Sequence, residues 1–89
     1  MTNACPKPMG GLTGRDLGDE YLFYDHEHDR VHVLNGTARE IFLLCDGSRS
    51  EQELVDRVVE LFHVDESTAR RDVGETVQQL IDLRLLKLT

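Results

Sequence analysis

The chain has 89 residues and a net charge of -7, with 17 Asp and Glu against 10 Lys and Arg. That length supports one domain with a thin core, and 39% hydrophobic with 30% charged residues is a globular balance. The composition argues against three classes. No apolar run approaches the roughly 18 residues of a membrane helix. Met1 to Gly11 lacks the regions of a signal peptide, so the expected compartment is the cytoplasm. The acidic balance disfavours the basic face that nucleic acid requires.

Taken in chain order, residues 1–14 hold both prolines and three glycines. They read as a flexible tail before a domain at 15–89, with room for a short strand near Leu12 or Leu17. Glu20 to Asp25 is rich in aromatic residues and reads as a strand. Arg30 to Leu34 alternates, with Val31 and Val33 on one face and His32 and Leu34 on the other. The connection between them lacks a tight-turn dipeptide, which predicts a longer loop in an antiparallel hairpin.

Three helices follow. Thr37 and Glu40 have capping-box spacing, and Ala38, Ile41, Phe42 and Cys45 share a face. Gly47 suits a helix stop. Ser50 and Glu53 form a second capping box ahead of a stripe of Leu54, Val58, Leu61 and Phe62, with Val55 and Val59 beside it. Asp65 reads as the third N-cap, and the helix it starts turns Ala69, Val73, Val77 and Leu80 inward. Leu85, Leu86 and Leu88 close the chain and are expected to pack under the hairpin. The layout predicts a winged-helix-like α+β fold: an N-terminal antiparallel hairpin of two or three strands, then a three-helix bundle.

The chemistry-bearing residues are few. His26, His28 and His32 could approach one metal ion, but a solvated polar turn is the preferred reading and no metal site is assigned. Cys5 and Cys45 are too few for a disulfide framework; both read as reduced thiols, Cys45 as a small buried hydrophobe. No nucleotide loop or nucleophile motif occurs, so neither catalytic residue nor cofactor is assigned. Arg70 and Arg71 could touch phosphate but read better as paired with nearby acids. Gly74 in mid-helix admits two readings, close approach of another backbone or simple tolerance. The hairpin edge at Arg30 to Leu34 carries no Lys or Pro to block an added strand.

The run Val31-His-Val-Leu-Asn35, Thr37-Ala38, Ile41, Cys45-Asp-Gly47, Ser50, Leu54, Val55, Asp72-Val73, Leu80 and Leu85-Leu86 resembles the PqqD family and the related RiPP recognition elements. The resemblance covers about Glu20 to Leu86. It implies a peptide chaperone that binds the leader segment of a ribosomally made precursor by strand addition. The domain then presents that precursor to a modifying or processing enzyme, such as a radical SAM enzyme, a leader peptidase or a cyclase. Carried onto this chain, the peptide-binding residues are Arg30, Val31, His32, Val33 and Leu34 on the strand. On the last helix they are Arg71, Gly74, Glu75 and Gln78. Asn35, Thr37, Asp46, Gly47 and Asp72 match as turn and cap residues. Two positions depart from the family pattern: Arg84 stands where glycine is common before the final Leu-Leu, and Gly36 where proline commonly follows the asparagine. The charged loop Asp25 to Asp29 looks most like the stand-alone elements of lasso-peptide pathways. The alternative for this fold is a DNA-binding or transcription-associated module.

Overall fold

The computed structural model describes residues 5–89. Four strands come first: β1 (Pro6–Pro8), β2 (Leu12–Asp16), β3 (Glu20–Asp25) and β4 (Arg30–Asn35). Three helices follow, α1 (Gly36–Leu44), α2 (Glu51–Phe62) and α3 (Glu66–Asp82), and then β5 (Leu86–Leu88). The fold is α+β, and the hairpin is three-stranded and antiparallel in the order β2-β3-β4. A second, two-stranded sheet joins β1 to β5.

Cross-strand partners share a face. Phe23 lies opposite His32 and Tyr21 opposite Leu34 on the core face, while Leu22 with Val33 and Tyr24 with Val31 share the outer face. The core-face rings tie the sheet to α1: Phe23 stacks on Tyr21 at 4.6 Å and meets Phe42 edge-on at 4.5 Å. Gly14 on β2 is required here, because a Cβ would stand 2.4 Å from the Tyr21 ring. Ile41, Leu54, Val55, Val58, Ala69, Val73, Leu80 and Leu85 complete a dry centre. Each large side chain there contributes about 1.5–3 kcal/mol of burial.

The helix signals are mostly realised. Ser50 accepts from the Glu53 amide, and Glu53 reaches back to the Ser50 amide. Asp65 accepts from the Thr68 amide at 2.8 Å. Gly47 takes φ +89, and its amide donates to the Pro6 carbonyl at 2.9 Å.

Four expectations are corrected. The segment read as a tail is built into both sheets from Pro6 onward, with Pro6 itself buried; residues 1–4 lie outside the described residues. Thr37 forms no capping box, because α1 already begins at Gly36 and Glu40 pairs with Arg39 instead. Gly36 holds φ +51, a conformation closed to the proline common at that position. Leu61 is exposed, since Leu54, Val55 and Val58 carry the buried stripe of α2. Leu88 is also exposed, with Leu85 and Leu86 doing the packing.

The departure at Arg84 does not remove the last turn. Arg84 itself takes φ +62, and the Leu85 amide reaches back to the Leu80 carbonyl at 2.8 Å. This is a Schellman-type helix end with arginine where glycine is preferred.

Candidate functional site

β4 is an outer strand, so one of its edges has no partner among the described residues. Antiparallel pairing aims the N–H and C=O groups of alternate residues outward, which leaves every second residue of β4 facing an open edge. Leu34 anchors the strand in the core, while Val31 and Val33 are 61% and 52% exposed. His32 points to the core face, and its Nε2 is buried without a hydrogen-bond partner. The opposite outer strand, β2, differs in kind. It carries Gly14, Arg15 and Asp16, and Asp16 is clamped by Arg39 of α1 through Nε at 3.0 Å and Nη2 at 2.6 Å. That guanidinium holds the Asp16 carboxyl below its ordinary pKa.

The β3–β4 turn holds β4 in register. Asp25, buried at its base, accepts from the Glu27 and His28 amides and binds His28 Nδ1 at 2.9 Å. Burial works to raise the Asp25 pKa, but the imidazole and the two amides outweigh it and the net shift is downward. Asp29 takes φ +52 and accepts from the Tyr24 hydroxyl, which raises the Tyr24 pKa. His26 Nε2 lies 2.6 Å from the Thr13 hydroxyl. His26, His28 and His32 therefore have three different surroundings. Among the described residues no group of three or more His, Cys, Asp or Glu side chains could hold a metal ion.

The α3 candidates Arg71, Gly74, Glu75 and Gln78, spaced i, i+3, i+4 and i+7, share one face of the helix. Arg71 is exposed, 3.7 Å from Asp72, and Glu75 is exposed. Gly74 faces α2: a Cβ there would meet Glu51 Oε1 at 3.5 Å and no backbone, which leaves tolerance as the reading of this glycine. Gln78 donates to Asp82 at 2.9 Å and borders β5. Arg70 binds Glu66 at 2.7 Å and Gln52 at 3.0 Å. The shoulder of α3 facing α2 is thus marked by Glu66, Arg70 and Gly74. On the other shoulder Asp72 and Thr76, one helical turn apart, are half-buried.

Cys45 is buried, and its thiol donates to the Ile41 carbonyl at 3.1 Å. Burial pushes its pKa up to about 12, so the thiolate is scarce at neutral pH. Among the described residues no helix is long and apolar enough to cross a membrane.

These features define a small α+β domain with an anchored strand left open on one side. Residues 20–86 match the family model described as Coenzyme PQQ synthesis protein D (PqqD), and the chain belongs to that family. Two solved structures share the fold. "TbiB1 in Complex with the TbiA(beta) Leader Peptide" is 21% identical, with 91% of this chain and 94% of that one covered at a TM-score of 0.82. "Lasso peptide synthetase B1 complexed with the leader peptide" is 16% identical, with 92% and 96% covered at a TM-score of 0.81. No curated protein matches the chain.

Proposed function

We infer that the domain binds the leader segment of a ribosomally made precursor peptide as an added strand on β4 and presents it to a modifying or processing enzyme. The observation that carries this reading is the open edge of β4, a strand paired to β3 and fixed in the core by Leu34, whose other edge has no partner among the described residues and carries no Lys or Pro. Membership of the PqqD family and the leader peptides bound by both structural neighbours support it. Arg30, Val31, His32, Val33 and Leu34 supply the edge. On α3 the contacts fall to the stripe of Arg71, Gly74, Glu75 and Gln78, which share one helix face. The domain contributes binding and no catalytic group; the enzyme it serves does the chemistry in the cytoplasm.

The test is a fluorescence-anisotropy titration with a labelled leader peptide encoded beside the gene. Saturable binding at micromolar or tighter affinity is expected. Proline at Val31 and at His32, made separately, should act differently, because adjacent residues of β4 aim their N–H groups in opposite directions. The outward one should weaken binding by roughly tenfold or more with little loss of fold. The inward one should weaken the sheet itself. Failure of every locally encoded peptide to bind would remove this reading.

A further inference from the structure

A cavity of about 430 Å³ lies between the C-terminal end of α3 and β5, away from β4. Its walls include Met9, Ile81, Leu86 and Leu88, and its mouth carries Arg84 and Lys87. Gln78 also lines it but is engaged by Asp82, so its amide is already bonded to a carboxylate. Arg84 and Lys87, like Lys7, Arg15 and Arg30, make no ion pair among the described residues, whereas Arg39, Arg49, Arg57, Arg70 and Arg71 do.

The charges are placed there at a cost. Lys87 stands directly opposite Lys7 in the β1·β5 pair, an arrangement in which like charges repel. Arg84 occupies a left-handed position at φ +62 that favours glycine. Neither is explained by packing, and both put cations beside an apolar hollow in a chain of net charge -7. Among the described residues β5 is paired on one side only, by β1, so its other edge still has backbone groups to offer. A chain segment can meet those groups, while a lipid tail cannot.

We propose that this cavity is a second docking site, taking an acidic segment with apolar side chains from a partner protein. Apolar side chains fill the hollow against Ile81 and Leu86, and carboxylates meet Arg84 and Lys87. The proposal rests on the preceding reading only in identifying the partner as the enzyme that receives the precursor.

The test uses the 15N-labelled chain and a capped hexapeptide of alternating leucine and glutamate, with the leucine–glutamine peptide as control. The expected result is saturable amide shifts at Gln78, Arg84 and Leu86 to Leu88. Binding should be at least several-fold weaker for the control and lost in the double variant R84E/K87E, which must keep a dispersed spectrum. The same variant should still bind the leader peptide through Arg30 to Leu34, and loss of that signal alone would fault the leader reading and not this site. Unmoved amides around the cavity, equal binding by the double variant, or shifts confined to β4 would overturn the proposal. So would stronger shifts of the same amides by phosphatidylglycerol vesicles, which would make the site a lipid contact.

Discussion

β4 and β5 are both outer strands, and they guard their edges in opposite ways. β4 presents Val31 and Val33 with only Arg30 at its start as a charge, and Leu34 anchors it below. β5 and its partner β1 carry Lys7, Lys87, Pro6 and Pro8 in six residues, the residue types that discourage indiscriminate pairing. The contrast teaches where the molecule accepts a strand on backbone terms alone. At β4 any suitable extended peptide meets an open ladder. At β5 the lysine admits only a segment carrying opposite charge.

The sharpest way to break this comparison is with proline. The outward-facing proline in β4 should weaken leader binding by roughly tenfold or more, while Lys87→Pro should leave that affinity within about twofold, both read by anisotropy. Stability should divide the other way. Leu86→Ala empties a fully packed position and should cost about 2–5 kcal/mol in urea unfolding. Val33→Ala, half exposed on β4, should change stability by only about 0.5 kcal/mol. A large loss from Val33→Ala would mean that β4 is itself a core element and its edge less available than described.

Smaller effects test the frame that holds both strands. Ser50→Ala removes a complete capping box and should cost about 1 kcal/mol. Arg84→Gly relieves the left-handed position and should stabilise the chain by about 0.5–1 kcal/mol, while removing a cation from the β5 cavity. Acid should act through the carboxylates. Asp25, Asp46, Glu53 and Asp65 are all held below their ordinary values in the folded chain. Groups of that kind stabilise the fold above the unfolded carboxylate range and lose that contribution as pH falls through their folded values. Melting temperature should therefore decline progressively below about pH 4, and a flat profile from pH 5 to pH 2 would contradict the turn and cap bonds described.

Legibility followed the range of the interactions. Ser50 with Glu53 and Asp65 with Thr68 are three residues apart, so their caps could be read directly from the chain. Ala69, Val73, Val77 and Leu80 are set by helical period and were read equally well. The misreadings depended on distant partners. Pro6 to Pro8 has no strand signal of its own and becomes β1 only because Leu86 to Leu88 lies beside it. The bond from Asp16 to Arg39 spans 23 positions and leaves no local mark. Thr37 failed as a cap for a local reason: Gly36 turns the chain into α1 one residue earlier.

The site was legible to the same extent. The alternation of Arg30 to Leu34 located the outer strand, because inward and outward residues differ in type. The face of α3 was not legible, since the arginines, glutamates and glutamines of its exposed arc resemble one another. The positions of Gly74 beside Glu51 and of Gln78 beside the β5 cavity show where the stripe of candidates runs along the helix.

The central claim is that β4 is the edge on which the peptide adds. Amide hydrogen exchange, measured residue by residue with and without the leader peptide, tests it most directly. The account predicts new protection at alternate residues between Arg30 and Asn35, with β2 and β5 unchanged. Protection along Leu12 to Asp16 instead, or binding that leaves the β4 amides unaltered, would contradict it.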